Sequence, residues 1–185
     1  MLEITVFRIR PNITDNMKTD AIAIANYFID KAKETYPPYE LTLLRLVKYV
    51  YIAYGFGLAL LDRSILNERF DKVEAWRYGP VIPSVYHSFK HNQNRPITDK
   101  SSILSYEDDN GNLYFDVPKV KDEGIIMILD FVWDRYKDKS VHDLIEILHK
   151  DGTPWKFCYK EGSNVEIPDG LTKIYYQSII KNASR

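Results

Sequence analysis

The sequence predicts a mainly α domain, α+β in detail: about five to six helices, a small antiparallel hairpin or sheet, and an N-terminal strand. Three observations carry this. Apolar residues recur at three- and four-residue spacing along most of the chain. Proline and glycine fall in the gaps between those stretches. One Asn-Gly pair, Asn110-Gly111, stands between two strand-like runs, the strongest short hairpin signal a sequence offers.

Leu2, Ile4 and Val6 alternate with Glu3, Thr5 and Phe7, and Pro11 ends the run, which predicts a short strand and then a loop. A helix is predicted over about Thr19 to Thr35, because Ala21, Ala25, Phe28, Ile29 and Ala32 share one face. Tyr36-Pro37-Pro38 stops it. Thr42 precedes a more apolar helix running to about Leu61, with Leu43, Leu46, Val47, Val50, Tyr51 and Tyr54 in a broad stripe that Lys48 interrupts. A helix apolar nearly all round belongs at the centre of a domain. Gly55 and Gly57 each cost this helix roughly 1 kcal/mol against alanine. Close approach of another backbone, or a break in the helix, would account for them.

Asp62 to Glu74 reads as irregular. In Trp76-Arg77-Tyr78-Gly79-Pro80-Val81-Ile82-Pro83 two prolines bracket two β-branched residues, which predicts a rigid turn and a helix opening at Pro80 or Pro83 and ending near Lys90. Asn92 to Lys100 is loop. Ile103–Glu107 and Leu113–Val117 are the hairpin strands, expected either to join the N-terminal strand in one antiparallel sheet or to stand alone. Lys121 to Lys137 carries Ile125, Ile128, Leu129, Val132, Trp133 and Tyr136 on one face. Ser140 with Asp143 is a capping-box variant opening a helix to about Lys150, and Gly152 is a natural stop. Thr153-Pro154-Trp155 places a cap and a first-turn proline for a short helix. A last helix is predicted over Asp169 to Lys181.

The chain has 185 residues, enough for one domain with a core that needs no staples. Residues 1–18 read as strand and loop, and 19–185 as the helical domain. Twenty-five basic against 26 acidic side chains exclude a generically basic nucleic-acid binder, though Lys90, His91, Arg95 and Lys100 could form a local basic edge. Cys158 is the one cysteine, so neither an internal disulfide nor a cysteine metal cage is available, as suits a reducing compartment. The N-terminus lacks the apolar stretch of a secretory signal. The longest apolar run, Tyr49 to Leu61, has the length of a buried core helix, so a cytoplasmic protein with no membrane partner is expected.

Chemistry-bearing patterns are sparse. His87 and His91 have the spacing of metal ligands on a helix, but a motif glutamate and a third ligand are missing, so no metal is expected. His142 and His149 read as structural, and Cys158 as an inert buried thiol. The phosphate-loop, dinucleotide and nucleophile-elbow motifs are absent. Asp108 to Asn112 is a turn rather than a calcium loop, since no glutamate closes it. Glu68, Asp71 and Glu74 read as a solvated acidic face. No catalytic residue and no cofactor follow from this reading.

Aromatic residues make up 14% of the chain, 14 of them tyrosines and three tryptophans, which directs attention to recognition. Tyr49, Tyr51, Tyr54 and Trp133 read as core. Trp76, Tyr78 and Tyr86 sit beside a proline-stiffened turn, and a preformed turn loses little entropy on binding.

The order of these motifs resembles the Panacea domain, the SocA-like or GepA-like phage-associated family. The residues that carry the likeness are Ala25 to Ile29, Leu41-Thr42 with Leu46 to Tyr51, Ala75 to Tyr86, Leu148-His149 and Pro154-Trp155. Trp76-Arg77-Tyr78-Gly79-Pro80-Val81 is the specific element, and the likeness extends from about Thr19 to the C-terminus. It implies a mainly helical, non-enzymatic antitoxin of prophages or mobile elements that neutralises a cognate protein toxin by binding it. It further implies partner-binding roles for Trp76, Tyr78, Val81, Tyr86 and Lys48, and structural roles for Gly79, Pro80, Pro154 and Trp155. A homo-oligomer fits as well. The alternative is a nucleic-acid-binding regulator of a mobile element.

Overall fold

The computed structural model describes residues 21–37, 39–67, 71–107 and 110–183. The N-terminal strand expected over Leu2 to Arg10 and the cap at Thr19 or Asp20 lie outside the described residues.

At the centre lies α2 (Leu43–Leu61), unbroken and buried over most of its length. It packs against α1 (Ala21–Glu34), α4 (Glu123–Tyr136), α5 (Val141–His149) and α7 (Asp169–Ala183). This is the one described helix long and apolar enough to cross a membrane, and 78% of its most apolar window is enclosed by the rest of the fold. Thr42 has extended backbone at its start but lends no side-chain bond. Phe28, Tyr49 and Trp133 bring α1, α2 and α4 together, with Tyr49 edge-on to Trp133 at 5.9 Å. Tyr49, Tyr51, Tyr54 and Trp133 are all core, as their helical spacing foretold.

Two glycines let α2 accept bulky neighbours. Both are met by side chains, not by the backbone the sequence led us to expect, and the helix does not break. A Cβ on Gly55 would stand 2.1 Å from the Tyr176 ring, and one on Gly57 would stand 2.6 Å from Ile65. Tyr54 closes the same interface by donating to Asp169 at the start of α7.

Seven α-helices are present among the described residues, one or two above the five to six counted from the sequence, and each falls on a stretch where the sequence predicts a helix. The two short ones, α3 (Pro83–Phe89) and α6 (Pro154–Cys158), are each opened by the expected proline. Asp122 caps α4 by accepting from the Ile125 N–H at 3.0 Å. At α5 the capping box is complete: Ser140 accepts from the Asp143 N–H, and Asp143 accepts from the Ser140 N–H. Ser140→Ala leaves that first turn uncapped and should cost about 1 kcal/mol, read as a lower melting temperature.

Among the described residues the strands fall into two separate sheets. β3 (Ile103–Glu107) and β4 (Leu113–Asp116) make a two-stranded antiparallel hairpin. Asn26 anchors its base by donating to the Ser101 and Pro118 carbonyls at 2.8 and 3.2 Å. A second sheet, β2-β1-β5, was not expected. It joins β1 (Glu74–Trp76), β2 (Gly79–Val81) and β5 (Val165–Glu166). The expected rigid turn is therefore the bend of a hairpin. Pro80 fits there because, among the described residues, β2 is an edge strand, where a missing N–H breaks no ladder.

Asp71 and Glu74 correct the reading of a solvated acidic face; Glu68 is outside the described residues. Asp71 is buried and accepts from the Ala21 N–H, the Asn67 N–H and the Ser84 hydroxyl. Its negative charge thus sits at the start of α1, where a helix dipole favours it. Glu74 accepts from the Trp76 indole at 2.7 Å.

Candidate functional site

The Trp76–Tyr86 segment forms a corner: a two-residue bend, Arg77-Tyr78, between β1 and β2, followed by α3. Trp76 pairs with Gly79 across it, and Ala75 pairs with Pro80. Gly79 takes φ +103°, a value that costs other residues strain and glycine none. A Cβ there would also stand 2.9 Å from Lys48 Nζ and 3.3 Å from His149 Nε2. Conformation and space both demand glycine.

Three supports hold the corner from beneath. Lys48, fully buried on α2, donates to the Pro80 carbonyl at 3.0 Å. Trp155, at the start of α6, donates its indole hydrogen to the Trp76 carbonyl at 2.7 Å. His149, ending α5, lies flat on Trp155, with ring centroids 3.6 Å apart and planes within 3°. Tyr159 covers the other part of this stack at 4.6 Å. Thr153 makes the geometry possible by capping α6 and bonding back to the Leu148 carbonyl at 2.9 Å.

The outer face is aromatic. Tyr78 is 58% exposed, with the Arg77 guanidinium 5.6 Å from its ring centre. Trp76 and Tyr86 are half-buried and meet edge to face at 4.9 Å, and His87 abuts both. Phe157, two residues along α6 from Trp155 and so on the opposite side of the helix, is 70% exposed.

The corner gathers every residue the sequence singled out, but at different depths. Tyr78, Trp76 and Tyr86 reach the surface. Lys48, Val81, Gly79, Pro80, Pro154 and Trp155 are buried. Lys48 and Val81 therefore present no surface of their own to a partner, unlike the direct contact the resemblance implied for them. His149 and Glu74, read from the sequence as structural and solvated, belong to the same assembly. The Leu148-His149 pair in the motif order was the available signal for the first.

Electrostatics follow from burial. Loss of water pushes the Lys48 amine down to about 7. Burial, then the charges of Lys48 and Lys156, hold His149 below the usual imidazole range. His149 Nε2 is buried without a hydrogen-bond partner. Elsewhere, His87 and His91 gather no third ligand: among the described residues no group of three or more metal-ligating side chains occurs. Cys158 is half-buried and burial pushes its thiol up, away from reactivity. Of the basic edge, Lys100 is paired with Asp30 at 3.0 Å.

The family profile described as "Antitoxin SocA-like, Panacea domain" matches residues 46–156, a span that opens just before Lys48 and closes just after Trp155. Antitoxin SocA of Caulobacter vibrioides is 32% identical over 148 residues, which cover 78% of this chain and 73% of that protein. No solved structure matches the chain.

Proposed function

Since the chain belongs to the SocA-like antitoxin family defined by the Panacea domain, we propose that it neutralises a cognate protein toxin by binding it, with the Trp76–Tyr86 corner as the gripping surface. The observation that carries the site is the exposure of Tyr78 on a bend pinned from below by Lys48 and Trp155. A large ring held still loses little freedom when a partner covers it. Tyrosine and tryptophan in such positions dominate binding energies.

The action is occlusion or locking of the toxin in the cytoplasm, with no chemistry and no cofactor of the antitoxin's own. A gene pair on a prophage or other mobile element is the setting this family reading implies. A nucleic-acid role has less behind it, given the net charge of −1 and the pairing of Lys100. A gel shift at low salt that shows a complex would revive it.

The test is affinity for the product of the adjacent gene, measured by calorimetry. Tyr78→Ala touches no core contact, so its melting temperature should stay at the wild-type value while affinity falls at least about tenfold. Trp76→Ala and Tyr86→Ala should also abolish or weaken the complex while remaining folded. Unchanged affinity in all three folded variants would remove the corner as the binding site.

A further inference from the structure

The props beneath the corner include two bases and no acid. Lys48 Nζ and His149 Nε2 both press on Gly79, within 2.9 and 3.3 Å of the place a Cβ would occupy. The amine has one acceptor, the Pro80 carbonyl, for its hydrogens, and the imidazole nitrogen has none. No described carboxylate lies within ion-pairing distance of Lys48. On β1 the one carboxylate, Glu74, takes the Trp76 indole hydrogen. β2 carries no titratable side chain. On α6, Lys156 adds a further positive charge and leans towards Asp151 at 3.9 Å. A buried charge without a partner costs far more than a buried neutral group. Two such charges side by side repel as well.

We propose that Lys48 and His149 form a proton-sensing couple that accepts at most one positive charge near neutral pH, and that acidification loosens the corner and weakens its hold on the partner. The second half rests on the corner being the binding surface; the first does not. The sign follows from linkage. Lys48 has a lower pKa folded than unfolded, so between about pH 7 and the ordinary lysine value of 10.5 the unfolded chain binds more protons. Stability from this group therefore rises with pH across that window and is lost as pH falls towards 7. Below about 7 the folded protein carries the charge as well; the Pro80 carbonyl accepts from it, but no carboxylate repays its lost hydration, and a second proton on His149 would repel it across Gly79.

Nuclear magnetic resonance titration tests the couple on the full chain without any partner, reading the Lys48 ε-carbon and the His149 ring. Lys48 should titrate near neutrality. Lys48→Met should raise the His149 midpoint by roughly half a unit or more, a threefold change in proton affinity, whereas His149→Phe should leave Lys48 titrating near neutrality, because His149 is uncharged where Lys48 takes up its proton. Circular dichroism confirms that both variants are folded. A Lys48 midpoint at its ordinary value, or a His149 midpoint that ignores Lys48→Met, would overturn the couple. The affinity arm compares pH 8 with pH 6 for the adjacent-gene product. Wild type should weaken several-fold and Lys48→Met much less. Equal weakening in both would overturn the link from couple to corner, whereas no binding at either pH would count against the antitoxin surface alone.

Discussion

Gly55→Ala should destabilise the domain by about 2 kcal/mol, although alanine in place of glycine ordinarily strengthens a helix by roughly 1 kcal/mol. The new methyl would stand 2.1, 2.4 and 2.5 Å from three atoms of the Tyr176 ring. That ring is 2% exposed and wedged edge-on against Phe56 at 4.9 Å and Tyr51 at 6.2 Å, so it has nowhere to go. Overpacking of this kind costs about 1–3 kcal/mol or more. The helix-propensity gain offsets part of a loss at the upper end. In a domain of this size the melting temperature should fall by roughly 4–8 °C. The decisive comparison is the same substitution beside Tyr176→Leu. With the ring gone, Gly55→Ala should become neutral or stabilising. If it stays as harmful there as in the wild type, the close approach of α7 to α2 is not what glycine serves.

This pair shows how far the residues could be read and where the reading stops. The helices were legible because their apolar faces repeat along one stretch of chain, and a local period needs no partner to be seen. Gly55 was legible as an anomaly, but its cause lies over a hundred residues away in Tyr176. β1 and β5 are three and two residues long and meet across a separation of about ninety residues. Neither is long enough to show a period. Pro80 hid β2, since proline reads as a breaker unless the strand is known to be an edge. The corner was visible as a motif, but its depth was not: Lys48 looked like an interruption of an apolar stripe and is among the best-buried side chains of α2.

The least legible residue has the largest expected effect. Asp71 stood in a run of carboxylates that reads as a wetted face, yet it joins three segments at once. Its Oδ2 accepts from the Ala21 N–H at 3.1 Å and the Asn67 N–H at 3.2 Å, and its Oδ1 accepts from the Ser84 hydroxyl at 2.6 Å. The start of α1, the irregular stretch after α2, and α3 behind the corner all close on this one carboxylate. Asp71→Ala should cost about 3–5 kcal/mol in chemical denaturation. It removes a charged acceptor and strands donors in a buried site, each worth roughly 1–3 kcal/mol unsatisfied. Asp71→Asn separates hydrogen bonding from charge. The amide oxygen can still accept from both N–H groups, and the amide nitrogen can donate to Ser84 once that hydroxyl turns outward. Asn should therefore cost only about 1 kcal/mol, the share owed to the negative charge at the head of α1. If Asn proves as harmful as Ala, charge and not hydrogen bonding is what Asp71 contributes, and an unmet positive group near the start of α1 would have to be sought.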